Sequence, residues 1–146
     1  MEKTGHFNIK RAIKKHDAVL GGEMSGHIFI NYDWYGFDDA VYTAAILAKV
    51  ISDTGQPASN VIEQFPKTFA TPELNLDVDD VKKFKMVEKF KEQMQFPDAE
   101  FNTIDGVRVS IGSSWGLMRA SNTSPKLVFR FEAETEEDLK LSLIHI

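Results

Sequence analysis

Three polar side chains stand at alternate positions in the short glycine-rich stretch Gly21–His27. Glu23, Ser25 and His27 offer a carboxylate, a hydroxyl and an imidazole, and the glycines let the backbone turn tightly and approach a ligand. A carboxylate beside a hydroxyl is the set of groups that holds the vicinal hydroxyls of a sugar. The spacing therefore predicts a sugar-binding loop. A glycine-rich turn around one hydrogen-bonded histidine remains the alternative.

A second polar stretch begins at Arg119. Ser121, Asn122 and Thr123 add neutral donors on a turn that ends at Pro125. A guanidinium presents a planar, permanently charged fork of N–H groups, so these side chains together can satisfy the oxygens of a phosphate group. Each charge-assisted hydrogen bond contributes ~1.5–3 kcal/mol when water is excluded. The stretch predicts phosphate binding, and an ordinary turn remains the alternative.

Further polar residues lie where helices are predicted to begin. His6 follows Thr4-Gly5 at such a start, where backbone N–H groups favour anions, although it is equally placed to cap or pack. The pair Asp38-Asp39 would suit a metal or acid–base role. Carboxylates at the start of a helix more often cap it and offset its dipole, so we expect capping here.

The first half of the chain alternates between helical and strand patterns. In chain order we expect a helix over 6–16, strand, loop and strand around Gly21–His27, a helix from Asp38 to about Ile51 with a broad apolar face, and a short helix over 58–64. The pattern changes at Phe65-Pro66-Lys67, which is the expected domain boundary. Residues 1–65 are therefore predicted to form an α/β domain.

The second half predicts a small antiparallel sheet with helices on one face, an α+β domain over 66–146. Strands are expected over 73–78, 101–104, 106–111, 115–120 and 126–133, and a helix over 79–95. The predicted core stripe of that helix consists of Val81, Phe84, Val87, Phe90 and Met94, and its predicted solvated face of Lys82, Lys83, Lys85, Lys89 and Lys91.

The last residues begin like a helix but do not continue as one. Thr135 to Asp138 resembles a capping box. The following residues do not sustain an amphipathic pattern, so we expect that the helix does not develop. We also expect that Leu141–Ile146 is not the native continuation.

The composition excludes several classes of protein. The chain of 146 residues has no cysteine, which rules out disulfides and thiolate metal sites, and its 17 basic and 22 acidic residues give a net charge of −5. That balance argues against a nucleic-acid surface. No apolar run approaches the ~20 residues of a membrane span. We expect a cytoplasmic protein with neither nucleic acid nor membrane as a partner.

Several short motifs occur together in a familiar order. They are Thr4-Gly5-His6, Gly22-Glu23-Met24-Ser25-Gly26-His27, Gly36-Phe37-Asp38-Asp39, Thr71-Pro72-Glu73-Leu74, Asp105-Gly106-Val107-Arg108 and Arg119-Ala120-Ser121-Asn122-Thr123. With these motifs the chain resembles the C-terminal part of the bacterial α-D-phosphohexomutases of the phosphomannomutase/phosphoglucomutase type. The resemblance covers nearly the whole chain and fails only near its end.

The resemblance implies a fold and an activity. The first half would be the end of domain 3, a remnant of an αβα sandwich, and the second half domain 4, a sheet flanked by helices and similar to the TATA-binding protein. Such enzymes interconvert hexose 1-phosphates and 6-phosphates of glucose or mannose through a phosphoserine and a hexose 1,6-bisphosphate, the intermediate and activator. The implied sugar contacts are Glu23, Ser25 and His27, with His6 as a possible catalytic residue beside them. The implied phosphate contacts are Arg119, Ser121, Asn122 and Thr123.

Two family motifs are missing from this sequence, namely the serine loop of the Thr-Ala-Ser-His-Asn type and the Asp-Gly-Asp loop that binds Mg²⁺. Both belong to domains 1 and 2, which the resemblance implies as partners. We therefore expect no metal site in this chain and no turnover by it alone. The alternatives are a phosphoglucosamine mutase fragment, which would more often carry Gln where Met24 stands, a non-catalytic sugar-phosphate-binding module, and a truncated product without function.

Overall fold

The computed structural model describes residues 1–144 and divides into two compact units, Met1–Pro66 and a second unit that begins at Lys67. The elements of the first unit are α1 (His6–His16), β1 (Leu20–Gly22), β2 (Ile28–Ile30), α2 (Ala40–Thr54) and α3 (Ala58–Ile62). The two strands pair antiparallel, with Gly22 opposite Ile28. The predicted order of helices and strands is confirmed, and the stretch with the alternating polar residues connects β1 to β2.

The core of the first unit lies between α1 and the strand pair. Ile9 and Ile13 of α1 and Phe29 of β2 are buried together. Gly21 allows this packing, because a Cβ atom there would lie 2.9 Å from Cγ2 of Ile9. The close approach of helix to strand brings the start of α1, with His6, beside the loop after β1.

Helix α2 begins as predicted and carries an uncovered apolar face. The Asp39 carboxylate accepts a hydrogen bond of 2.9 Å from the Tyr42 N–H, which confirms its capping role. Every α2 position is exposed or half-buried, and Val41 is 83% exposed. The predicted apolar face is therefore present in sequence but is not packed within the described residues.

The second unit contains an antiparallel sheet with helices on one face, as predicted. Its elements are β3 (Phe69–Ala70), β4 (Leu74–Asp77), α4 (Lys82–Gln93), β5 (Glu100–Asn102), β6 (Val107–Ile111), β7 (Ser114–Ala120), β8 (Lys126–Ala133) and α5 (Glu136–Ile144). The described strands follow the order β3-β8-β7-β6-β5, and β4 also pairs with β8. Residues of β6, β7 and β8 on one face pack on α4 to form the core, which buries Val107, Met118 and Leu127.

Two expectations for α4 were wrong. Val81 is 71% exposed and Phe84 is 52% exposed, whereas Lys83, assigned to the solvated face, is buried. The helix turns Lys83 and Val87, which are one turn apart, toward the sheet. Phe84 follows Lys83 directly and therefore lies outside the contact.

The expectation that the last helix does not develop was also wrong. Helix α5 forms over Glu136–Ile144, and the Thr135 hydroxyl accepts a hydrogen bond of 3.1 Å from the Asp138 N–H at its start. The helix packs against β7 and β8, and this tertiary support replaces the amphipathic pattern that the sequence lacks. The expectation of a non-native end falls partly on residues 145–146, which lie outside the described residues. No helix within residues 1–144 is long and apolar enough to cross a membrane.

Candidate functional site

The loop between β1 and β2 is a tight turn closed by its own backbone. Glu23 N–H donates to the His27 carbonyl at 2.9 Å, and Gly26 N–H donates to the Glu23 carbonyl at 3.0 Å. Ser25 lies exposed between these bonds. The Glu23 carboxylate accepts a hydrogen bond of 2.5 Å from the Gly5 N–H at the start of α1. This bond holds the carboxylate beside His6.

The two histidines of this region meet at a shared carboxylate. Nδ1 of His27 lies 2.6 Å from Oδ2 of Asp38, and Nε2 of His6 lies 3.5 Å from the same oxygen. The two imidazole rings are 4.8 Å apart in an edge-to-face arrangement, and His6 also packs edge-on against Phe29. The arrangement joins a histidine from α1, a histidine from the loop and a carboxylate from the segment before α2.

The sequence did not predict this role of Asp38, which was expected to cap α2 together with Asp39. Its backbone instead forms a β-bridge with Phe29, which turns the side chain toward His27 rather than toward the helix start. The available signal was the motif Gly36-Phe37-Asp38-Asp39, in which only the second carboxylate is needed as the cap. The structure therefore brings His6, Glu23, His27 and Asp38 together, and leaves Ser25 on the exposed turn beside them.

The second predicted site is the turn between β7 and β8. Ser121 is only 7% exposed, and its hydroxyl accepts hydrogen bonds from the N–H groups of Thr123, at 3.3 Å, and Ser124, at 3.2 Å. It also lies 2.8 Å from the Ser124 hydroxyl. The Ser121 hydroxyl thus holds the turn from within, while Asn122 and Thr123 face solvent at its tip.

Lys83 fastens this turn to α4. Its side chain is 3% exposed, and Nζ donates to the Ser124 carbonyl at 2.9 Å and lies 2.6 Å from Oδ1 of Asp80. A buried ammonium is stable only when it is paired and hydrogen-bonded, and the turn supplies part of that pairing. The sequence missed this residue because five similar lysines occupy the same helix, and only the fold shows which one faces the turn.

Arg119 stands on the last part of β7, half-buried, opposite Val128 of β8. Gly106 approaches this strand from the turn before β6. A Cβ atom on Gly106 would lie 2.2 Å from the Met118 carbonyl oxygen and 2.6 Å from Cβ of Arg119. Its φ of 77° also lies in the left-handed region. Gly106 therefore leaves room for the backbone that carries Arg119.

Two family models match the chain, one on each half. The model described as Phosphoglucomutase/phosphomannomutase, alpha/beta/alpha domain III, matches residues 1–69. The model described as Phosphoglucomutase/phosphomannomutase, C-terminal domain, matches residues 73–142.

Individual relatives match nearly the whole chain at high identity. A phosphomannomutase/phosphoglucomutase of Pseudomonas syringae pv. tomato is 51% identical over 140 residues, which are 96% of this chain and 30% of that protein. A phosphoglucomutase of Neisseria gonorrhoeae is 46% identical over 138 residues, 93% of this chain and 30% of that protein. The crystal structure of a phosphoglucomutase/phosphomannomutase family protein from Burkholderia thailandensis matches with a TM-score of 0.86 at 39% identity, over 97% of this chain and 30% of that one. The chain thus spans about 30% of the length of these relatives.

Proposed function

Because the chain belongs to the phosphoglucomutase/phosphomannomutase family, we propose that it is the hexose-phosphate-binding C-terminal part of a phosphohexomutase. In such an enzyme a phosphoserine gives its phosphoryl group to a hexose phosphate, and the resulting 1,6-bisphosphate returns the other group to the serine. The serine and its domains are outside these 146 residues. We propose that the chain alone binds hexose phosphates without turning them over.

In this proposal the first unit recognises the sugar. The Glu23 carboxylate accepts hydrogen bonds from sugar hydroxyls, Ser25 adds a hydroxyl from the tip of the turn, and His27 and His6 present their rings beside them. The fixed position of Glu23, bonded to the start of α1, supports this assignment. A carboxylate held in place by a hydrogen bond from the protein loses little rotational freedom when it binds a ligand.

The second unit holds the phosphate group. The observation that carries the proposal is the turn after Arg119, whose backbone is held by hydrogen bonds to the Ser121 hydroxyl and from the Lys83 ammonium. Arg119 supplies the guanidinium, and Asn122 and Thr123 supply neutral donors on the solvent side. Ser121 was predicted to contact the phosphate, but its buried hydroxyl supports a different role, which is to fix the backbone N–H groups of the turn.

The magnesium of the family does not fit the residues present. Mg²⁺ prefers an octahedral set of oxygen ligands, whereas two of the three grouped donors in the described residues are imidazoles. We propose that Mg²⁺ acts on the parent enzyme through the missing Asp-Gly-Asp loop, and no step of binding by this chain is assigned to it.

The experiment is a calorimetric titration of the chain with glucose 1-phosphate. Arg119→Ala should weaken binding ten-fold to a hundred-fold, or ~1.4–3 kcal/mol. Arg108→Ala is the matched control, because it removes the same charge from the neighbouring strand, where the guanidinium stacks 4.3 Å from the Trp115 ring. Equal losses in both variants, or none in Arg119→Ala, would refute the phosphate assignment.

A second pair of titrations separates sugar from phosphate. Glu23→Gln should weaken binding of glucose 1-phosphate and leave binding of inorganic phosphate unchanged, because the carboxylate is assigned to the hydroxyls alone. If both affinities fall together, Glu23 does not recognise the sugar.

A further inference from the structure

One group of side chains in the first unit has the composition of a transition-metal site. His6, Glu23 and His27 each offer a ligand atom, and these atoms all lie within 4.8 Å of one another. They come from two places in the chain, namely the start of α1, which carries His6, and the loop between β1 and β2, which carries Glu23 and His27. The sequence analysis expected no metal site in this chain because the Asp-Gly-Asp loop is missing, and the spacing along the chain does not show that α1 approaches the loop between β1 and β2.

The donor set selects the class of metal. Two imidazoles and one carboxylate form a set that binds Zn²⁺ with a fourth position open, and imidazole also suits Co²⁺ and Ni²⁺ but not Mg²⁺. Zinc–ligand distances of ~2.0–2.2 Å place tetrahedral ligand atoms roughly 3.4 Å apart. The separations, which reach at most 4.8 Å, must therefore shorten by up to about 1.4 Å. His6 and His27 are 52% and 44% exposed, so their rings have room to move.

Asp38 supplies the support that metal-binding histidines commonly have. Its Oδ2 lies 2.6 Å from Nδ1 of His27, and a metal on that ring would then bind the other nitrogen, Nε2. A carboxylate that holds the second nitrogen of a ligand histidine fixes its orientation and raises its basicity, and its loss typically costs ten-fold to a hundred-fold in metal affinity. The charges also match, since Glu23 and Asp38 together balance a divalent cation.

We propose that His6, Glu23 and His27 bind a zinc-class divalent metal, with Asp38 orienting His27. The metal occupies the residues assigned to the sugar, so it excludes the hexose and acts as an inhibitor rather than a cofactor. The exclusion rests on the proposed function, whereas metal binding itself does not.

The test is a titration of the complete chain with Co²⁺, followed by optical absorption, and displacement by Zn²⁺. The expected result is one bound Co²⁺ with the intense visible bands of a low-coordinate site, released by Zn²⁺ and unaffected by millimolar Mg²⁺. His27→Ala and His6→Gln should each weaken binding by at least ten-fold, and Asp38→Asn by ten-fold to a hundred-fold. His16→Ala is the control, because His16 lies at the other end of α1 from His6.

The variants also protect the test against misfolding. Amide NMR spectra will show whether His27→Ala unfolds the chain. If it does, His6→Gln still tests the site, because His6 is exposed and its replacement should not disturb the fold. A site unchanged by His6→Gln and Asp38→Asn, or weakened equally by His16→Ala, would overturn the proposal. In a final titration Zn²⁺ should compete with glucose 1-phosphate. If both bind together, the metal site stands but the sugar assignment of the same residues is refuted.

Discussion

Replacing Lys83 by methionine tests whether its hydrogen bond to the Ser124 carbonyl holds the turn that we propose to bind phosphate. Methionine keeps most of the buried apolar stem and removes the ammonium. The lost hydrogen bond joins a side chain that is 3% exposed to the Ser124 carbonyl, 41 residues away, at 2.9 Å. A charge-assisted hydrogen bond of this kind contributes ~1.5–3 kcal/mol.

The free energy of the hydrogen bond between Lys83 and Ser124 is the largest loss of binding free energy that Lys83→Met can cause. At ~1.4 kcal/mol per decade, 1.5–3 kcal/mol corresponds to about ten-fold to a hundred-fold. The Ser121 hydrogen bonds survive the substitution and keep part of the order of the turn, so we expect roughly ten-fold weaker binding of glucose 1-phosphate. The Ser124 carbonyl also loses its donor, and the free energy of unfolding should fall by ~1–3 kcal/mol.

Calorimetry and urea unfolding measure the two effects separately. Lys82→Met is the matched control, because it removes the same charge from the exposed neighbouring position of α4. If Lys82→Met weakens binding as much as Lys83→Met, the loss of affinity comes from the change in net charge. The proposed role of the hydrogen bond between Lys83 and the Ser124 carbonyl would then be refuted. If Lys83→Met lowers stability but leaves affinity unchanged, Lys83 is a structural residue only.

Three further predictions concern particular contacts. Gly106→Ala should lower the free energy of unfolding by at least ~3 kcal/mol, and Gly112→Ala by only ~1–2 kcal/mol. Both glycines have a positive φ, but only a Cβ atom at position 106 would clash with backbone atoms. Equal losses in urea unfolding would show that this clash is not the cause. Asp39→Ala should lower the free energy of unfolding by ~0.5–2 kcal/mol, because the helix cap is lost. The isosteric Asp39→Asn should retain most of that stability. Equal losses in the Ala and Asn variants would exclude capping as the cause. The pKa of Glu136 lies below its ordinary value, because Lys140 donates a hydrogen bond to it and attracts its charge. This pair should stabilise α5 at neutral pH and lose its effect as the pH falls through that lowered pKa, and a carboxyl ¹³C titration of Lys140→Met should show the pKa rising; an unchanged pKa would exclude the pair as the cause.

The local hydrophobic pattern was sufficient to predict the helices and strands that bury one face. The spacing of Ile9 and Ile13 predicted α1, and the alternation of residues 126–133 predicted β8, because periodic burial is written directly into the residue order. The residues proposed to bind the sugar and the phosphate were likewise recognisable as the compact motifs 22–27 and 119–123. The family match came from these motifs and not from composition.

The features that sequence reasoning missed depend on contacts between distant segments. Lys83 is buried because a turn near residue 124 offers it a carbonyl, and Asp38 leaves the helix start because β2 holds its backbone. Helix α5 forms because the sheet supports it, although its own residues show little amphipathic pattern. In each case contacts with distant segments determined the local structure, and the local sequence did not distinguish between the possible conformations.

The central claim is that both loops bind a hexose phosphate, and a two-dimensional amide NMR titration of the chain with glucose 1-phosphate tests it most directly. We expect glucose 1-phosphate to shift the amide signals of two stretches, 22–27 and 119–123, and inorganic phosphate to shift only those of the second. Shifts elsewhere, or a well-dispersed spectrum that does not respond to glucose 1-phosphate, would contradict it.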